Sequence, residues 1–337
     1  KEAYIKKTVD TILKDDLLQA KQFKVFVVDN GKTLSKDEFP EQKVQLIPNR
    51  NVGGSGGFTL GLIQAWDENS YTHLLLMDDD IELESESIYR LISLYEYTNQ
   101  DFAVVGSMLN LLKKNVLCDA GSFYPRSLRA DGNYVHNPFS VIAAKHGLNL
   151  TKTSNINLLL SEDEADFGGF WFFSFSTNLI KQSNLPLPFF IKVDDVEFGV
   201  RIKERLGKSI VAFPGIAVWH EPFYAKAITL TLYYDYRNHL VTHATRNSLK
   251  YFHAVKFFTK NLIQKVFVFD YNSAEVMVRG FADYMKGPNF LKEKDPEALH
   301  AEVLNLSKTY SSQSVAVDSI ADIRASEAPS AAKNRRY

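Results

Sequence analysis

The 337 residues carry 39 Lys and Arg against 40 Asp and Glu, a formal net charge of −1 at pH 7. That balance excludes nucleic-acid binding driven by bulk charge, and the single cysteine, Cys118, excludes an internal disulfide framework and a multi-cysteine metal site. With 45% hydrophobic residues the chain can build one large or two modest domains, and no apolar run reaches the roughly 18 residues of a membrane span.

In chain order, Ile5, Val9, Ile12, Leu13 and Leu17 recur at helical spacing and predict an amphipathic helix over residues 2–20. A strand over 23–28 closes on the turn Asp29-Asn30-Gly31, and a second strand covers 44–47. Gly53 to Gly57 follow, ahead of a helix predicted from about Phe58 to Asp67. The run Leu74-Leu75-Leu76-Met77 reads as a buried parallel strand, and residues 85–98 read as a helix. This alternation predicts an α/β fold with a doubly wound, mainly parallel sheet. Another strand is expected over 103–108, and residues 116–146 read as irregular. Aromatic strands begin at Phe167, an apolar stretch covers 210–219, and residues 228–306 read as mainly helical. The Ser- and Ala-rich residues 309–337 read as a tail or linker.

Asp78-Asp79-Asp80 ends the strand at 74–77, where open α/β sheets bind ligands. Three acids there repel one another unless a cation or donor-rich ligand compensates. A hard divalent ion such as Mg²⁺ or Mn²⁺, bridging a diphosphate, would do so; a solvated acidic loop is the plainer alternative. In Asn51-Val52-Gly53-Gly54-Ser55-Gly56-Gly57-Phe58 the glycines allow close backbone approach, and the helix start beyond offers N–H groups to an anion. A flexible turn would use the same residues. Asp194-Asp195 lies just before a helix predicted over 197–206, so one acid can cap that helix or take a proton from a sugar hydroxyl. His220, in Val218-Trp219-His220-Glu221-Pro222, ends another strand and can complete a metal site or simply bond within its loop. In Asp166-Phe167-Gly168-Gly169-Phe170-Trp171-Phe172-Phe173, strand alternation puts Phe170 and Phe172 on one face and Trp171, Phe173 and Phe175 on the other. Trp171 then either meets substrate or fills the core. Residues 250–269 mix Lys250, Lys256, Lys260 and Lys265 with apolar residues, as a membrane-surface helix or a bundle helix with a basic face would.

Taken in order, these segments resemble the family 2 glycosyltransferases with the GT-A fold, most of all the bacterial galactofuranosyltransferases. The matching pieces are VVDNG at 27–31, NVGGSGGF at 51–58, LLLMDDDIELE at 74–84, DFGGFWFF at 166–173, FIKVDDVEFGVR at 190–201, VWHEP at 218–222 and YDYRNHL at 234–240. The resemblance implies a transferase domain over 1–225 and a helical region over 226–308. It places Asp29 near the nucleobase, and Asn51, Gly53, Gly54, Gly57 and Asp78 around the donor. Asp78, Asp80 and His220 become the ligands of Mn²⁺ or Mg²⁺. Asp195 becomes the catalytic base, with Trp171, Phe172 and Asp194 on the acceptor side. The implied reaction is inverting transfer of galactofuranose from UDP-galactofuranose to a carbohydrate hydroxyl, on a lipid-linked bacterial surface glycan. The implied place of work is the cytoplasm, at the inner face of the cell membrane. Two departures stand out. The family's first strand would precede the helix at 2–20, so the chain reads as truncated at its start, and the family's paired tryptophans are Trp171-Phe172 here. Rhamnosyltransferases share much of this layout and give the first alternative; a non-catalytic glycan-binding protein on the same fold gives the second.

Overall fold

The computed structural model describes residues 1–40, 42–160, 164–223 and 229–310. The expected boundary at 225 and nearly all of the tail at 309–337 lie outside the described residues. Among them, strands Val25–Asp29 and Val44–Pro48 pair in parallel, with Val25 opposite Val44 and Asp29 opposite Pro48. Helix Glu2–Lys14 lays its apolar stripe over this pair, so that Val9 packs with Val27, Phe39 and Val44. The single helix expected over 2–20 is interrupted. Asp15 is extended, and its carboxylate accepts from the Leu18 N–H as the N-cap of a second short helix, Asp16–Gln19.

The large sheet is built on Ala103–Asn110, buried at every position. Ile210–His220 pairs with it in parallel, while Val116–Asp119 and Phe172–Ser176 pair with it antiparallel. Phe172–Ser176 also runs antiparallel to His73–Met77, with Phe172 opposite Met77. The large sheet is therefore mixed, parallel only at 103–110 with 210–220, and the parallel pair 25–29 with 44–48 forms a separate two-stranded sheet. The segment leading into Phe172–Ser176 contains short antiparallel strands rather than a long crossover helix, and this lets the strand return antiparallel. Within the stretch read as irregular lie Val116–Asp119, Ser122–Phe123, Arg126–Leu128, Tyr134–His136 and Ile142–Ala143, too short to show a period of two.

This register positions the chemistry. His73–Met77 delivers Asp78–Asp80 at its carboxyl end. Strand Ile81–Leu83 then pairs antiparallel with the end of Ile210–His220, setting Ile81 opposite His220. The next functional helix, Asp194–Leu206, is pinned by a buried ion pair. Arg201 Nε and Nη2 donate to Glu197 Oε1 and Oε2, both at 2.8 Å, and Arg201 also reaches the carbonyls of Ser183, Asn184 and Leu185. Helices Thr231–Thr245, Tyr251–Phe267, Tyr271–Met285, Pro288–Glu293 and Pro296–Leu306 follow. They join the rest of the fold around Phe190, which packs with Leu230, Tyr233, Tyr234, Val276, Leu299 and Val303.

Replacing Arg201 with Met leaves the Glu197 carboxylate buried without its partner. Urea unfolding is expected to show a loss of about 3–5 kcal/mol, the usual result of breaking a buried pair from one side; a loss below about 1 kcal/mol, the scale of exposed pairs, would show that the pair does not pin this helix.

Candidate active site

Asp78, Asp80 and His220 meet in one place. His220 Nε2 lies 3.3 Å from Asp80 Oδ1 and 3.7 Å from Asp78 Oδ2. One ligand atom from each of the three lies within 4.8 Å of the others. His220 is 4% exposed, and its Nδ1 has no hydrogen-bond partner among the described residues. Lys1 Nζ lies 2.7 Å from Asp79 Oδ1 and 3.6 Å from Asp80 Oδ2. Burial raises the pKa of Asp78; His220 opposes the rise, and Asp80 and Asp79 add to it. Two carboxylates and one imidazole nitrogen form a donor set that fits Mn²⁺ or Mg²⁺ and leaves coordination positions for oxygens of a ligand.

The glycine segment is not a loop ahead of a helix. The helix is Gly53–Glu68, so the glycines form its first turns. Contacts from elsewhere override their low helix propensity. Asn30 Nδ2 donates to Gly53 O at 2.9 Å, Ser55 Oγ donates to Leu187 O at 2.8 Å, and Ser55 N donates to Phe190 O at 3.1 Å. Gly53 has φ +73°, and a Cβ there would lie 2.1 Å from Phe190 O. A Cβ on Gly54, by contrast, would meet no atom within 4 Å. Asn51 Oδ1 accepts from Gly53 N at 3.2 Å, and a Cβ on Gly57 would meet Asn30 Nδ2 at 3.0 Å. Asp29 is buried, and both its oxygens serve its own turn, accepting from Gly31 N and Leu34 N.

The helix that carries Asp194 and Asp195 begins at Asp194, three residues earlier than its periodicity suggests. Its N-cap is Val193, so neither aspartate caps it and the two do not alternate as on an extended strand. Phe190, Lys192 and Val193 have φ of 75°, 66° and 69°, left-handed values for side-chain-bearing residues. Asp194 is buried and Asp195 is half-buried. Asp195 Oδ1 accepts from Val196 N at 2.8 Å. Burial raises both pKa values; the charges of Asp195 and Asp78 raise Asp194 further, while the Val196 N–H and Lys192 hold Asp195 down.

Two further carboxylates face the same group. Burial pushes Asp119 up to about 7, with the Ser122 hydroxyl and the Gly121 N–H opposing the shift and the Asp195 charge adding to it. The Ser122 hydroxyl donates to Asp119 Oδ2 at 2.6 Å, and Asp119 Oδ1 has no partner among the described residues. Burial pushes Asp235 up to about 6, with Lys192 opposing and Asp195 adding. Asp235 stood within the quoted YDYRNHL segment, whereas Asp119 lies on a four-residue strand with no sequence signal. Trp171 is 5% exposed, and its Nε1 donates to Gly106 O at 2.9 Å. Phe172 is wholly buried and packs in the same core cluster as Trp171, while Phe170, Phe173 and Phe175 lie in the other. The expected alternation fails before Phe172 because the strand starts there. The exposed ring of this region is Phe223, 6.0 Å from Trp171 and 5.9 Å from His220 between centroids, with Lys192 Nζ 5.1 Å from its centre. Sequence reading missed it.

The family described as Glycosyltransferase like family 2 matches residues 1–238. Galactofuranosyltransferase GlfT2 of Mycobacterium tuberculosis is 28% identical over 299 residues, covering 85% of this chain and 46% of that protein. GlfT2 of Mycolicibacterium smegmatis is 29% identical over 294 residues, covering 83% and 44%. The chain thus spans a little under half the length of these relatives. Among solved structures, the mannosyltransferase PcManGT from Pyrobaculum calidifontis, in complex with GDP-Man and Mn²⁺, is similar with a TM-score of 0.47 and 13% identity, over 93% of this chain and 79% of that one.

Mn²⁺ or Mg²⁺ added to the metal-free protein at neutral pH is expected to raise the unfolding free energy, by about 2.7 kcal/mol when the ion stands at 100 times its Kd. Asp80→Ala is expected to remove that gain; an equal gain in the variant would place the ion elsewhere. Asp119 and Asp235 hold their protons more tightly folded than unfolded. Their contribution to stability is full below the ordinary aspartate pKa of about 3.9 and is lost as pH rises through about 6 and about 7. Between about pH 4 and about pH 7, Asp119→Asn is therefore expected to lose less urea resistance with rising pH than the metal-free wild type.

Proposed function

The chain belongs to glycosyltransferase family 2, and from that premise we propose that it transfers galactofuranose from UDP-galactofuranose to a hydroxyl of a carbohydrate acceptor, with inversion. The observation that carries this reading is the convergence of three elements. The Asp78–Asp80–His220 cluster, the aspartate pair at 194–195 and the start of the glycine helix are linked through Phe190 O against Ser55 N and through the effect of Asp78 on Asp194. The galactofuranosyltransferase relatives support the choice of donor.

In this reading the donor diphosphate sits at the start of Gly53–Glu68 against the Gly54 backbone, where the helix dipole favours negative charge, while Gly53 N is held by Asn51 Oδ1 and Ser55 N by Phe190 O. Gly54 leaves room for that approach. Asp78, Asp80 and His220 would hold Mn²⁺ or Mg²⁺, which when bound supplies Lewis-acid stabilisation of the departing diphosphate. Asp195 accepts the proton of the acceptor hydroxyl as its oxygen bonds to the anomeric carbon, on the face opposite the breaking bond to the diphosphate. Asp195 is suited to this by its partial exposure and by a pKa raised towards working pH. Asp194 and Asp119 stand beside it as further acceptors for sugar hydroxyls. Phe223 offers the exposed ring, and buried Trp171 supports it. Phe172, inside the core, shapes the strand without touching sugar.

The acceptor is proposed to be a lipid-linked surface glycan, met at the inner face of a membrane. Among the described residues no helix is long and apolar enough to cross one. Phe252, Phe267 and Phe269 are exposed on and just after Tyr251–Phe267, the helix that carries Lys256, Lys260 and Lys265.

A panel of nucleotide sugars assayed for nucleotide release with and without chelator tests the reaction. Turnover with UDP-galactofuranose is expected to be lost in chelator; turnover with an activated rhamnose alone would move the protein to the rhamnosyltransferases. Asp195→Asn is expected to lower kcat by roughly 10²–10⁴-fold with nucleotide binding unchanged, and Asp194→Asn to act more on acceptor KM. Tolerance of both changes would put the base elsewhere. The acid limb of the rate profile is expected above the ordinary aspartate range. Gly54→Val is expected to fold normally and to weaken nucleotide binding in calorimetry. Neutralising Lys256, Lys260 and Lys265 is expected to lower binding to anionic vesicles by about 1 kcal/mol per lysine at low salt; unchanged binding would leave an ordinary bundle helix.

A further inference from the structure

The segment Arg237-Asn238 lies on helix Thr231–Thr245, remote in sequence from the glycine helix and the aspartate pair, yet both side chains are buried and reach back to one loop. Asn238 Nδ2 donates to Lys192 O at 2.8 Å and to Ile191 O at 2.9 Å, with Phe189 O at 3.4 Å. Arg237 Nη2 donates to Phe189 O at 2.8 Å. Its Nε donates to Asn238 Oδ1 at 2.9 Å. That bond fixes the amide so that its NH₂ faces the loop, the only orientation compatible with three carbonyls on that side.

The loop needs holding. Phe190, Lys192 and Val193 are left-handed, a conformation that side-chain-bearing residues adopt only under strain, and Val193 is β-branched. Such backbone persists only where its surroundings over-determine it. Ser55 grips the loop from the donor side, through its N–H on Phe190 O and its hydroxyl on Leu187 O. Asn238 and Arg237 grip the same few residues from the other side. The residues that leave the loop are Asp194 and Asp195.

We infer that Asn238, oriented by Arg237, is a positioning residue for the transfer step: it holds the Phe189–Val193 backbone in the left-handed path that sets where the Asp195 carboxylate stands. The inference rests on Asp195 acting as base. Removing the amide releases the carbonyls of Ile191 and Lys192, leaving Phe189 O to Arg237 alone, and lets the loop relax, which displaces the carboxylate without touching either substrate.

The test uses the full chain and the nucleotide sugar that the donor panel identifies. Asn238→Leu keeps the branched shape and removes the donors, and Asn238→Asp turns an acceptor towards the three carbonyls. Each is expected to lower kcat by about 10–100-fold, the scale of a displacement near 1 Å, with a much smaller change in donor KM. Asn238→Gln, which keeps the NH₂, is expected to recover part of kcat. Hydrogen exchange is expected to quicken over residues 189–198 while the remainder of the helix at 231–245 stays protected. A folded Asn238→Leu with kcat within about twofold of wild type, less than 0.5 kcal/mol in barrier, would overturn the proposal, as would a loss that tracks only the unfolded fraction. Should Leu and Asp fail to fold, Asn238→Ser, which retains one hydroxyl donor, carries the measurement; failure of every variant to fold would make Asn238 a folding residue and overturn it too. Asp195→Asn is assayed alongside: an active Asp195→Asn sinks the base assignment, whereas an inactive Asp195→Asn beside a fully active Asn238→Leu sinks the positioning role alone.

Discussion

Carboxylates from distant parts of the chain are forced together here. Asp78 and Asp80 follow one strand, Asp119 ends another, Asp194 and Asp195 open a helix, and Asp235 sits on a later one. Two unit charges 4 Å apart repel by about 4 kcal/mol at the effective dielectric of a protein surface, and by more where water is excluded. His220 and Lys192 offset part of this. Burial is the chief cause of the raised pKa values at Asp78, Asp119, Asp194, Asp195 and Asp235, and neighbouring carboxylates add to the rise at all of them but Asp195. A fold tolerates such a cluster at a functional site, because a divalent ion and a hydroxyl-rich ligand relieve the repulsion. The Asp78–Asp80–His220 cluster and the aspartate pair at 194–195 are thus two ends of one electrostatic problem.

The backbone solves a second problem, the placement of those acids. The loop at 189–193 stores strain in three left-handed residues and touches everything that matters around it. Phe190 O meets Gly53 and Ser55 on the donor side, and the Phe190 ring packs into the helices beyond residue 229. Its end carries the aspartate pair. For this reason the later helices are not an appendage to the sheet. Tyr234, Arg237 and Asn238 complete the wall behind the candidate base, and residues 29 to 238 hold every group assigned a role in the transfer.

What the sequence made legible follows from this physics. Acids after an apolar run, and a histidine after another, stand out because like charges at strand ends are expensive unless used. Periodicity located the main helices and strands to within a few residues. It failed where tertiary contacts overrule local preference. Gly53–Gly57 read as a loop, since glycine disfavours helix, but Ser55 and Asn30 hold it helical. Asp194-Asp195 read as extended residues ahead of a helix, but the Glu197–Arg201 pair and the Val193 turn start the helix earlier. Phe172 read as a sugar-facing aromatic, but the sheet register buries it opposite Met77. Asp119 gave no signal because its strand is too short for any period, and Phe223 gave none because exposure is a property of the assembled fold.

The paired aspartates illustrate how burial divides labour between identical side chains. Asp194 is buried and feels the charges of both Asp195 and Asp78, so its neutral form is favoured first. Asp195 keeps partial access to water, a hydrogen bond from the Val196 N–H and the nearby Lys192 ammonium, all of which favour its anion. Two carboxylates this close share protons as one system. Burial and the two neighbouring charges therefore raise Asp194, while the Val196 N–H and Lys192 hold Asp195 down. An exposed pair on an unstrained loop would ionise together at neutral pH and lose this asymmetry. The left-handed backbone before the pair and the packing of Asp194 against the fold therefore serve one end, which is to make two chemically equal groups unequal.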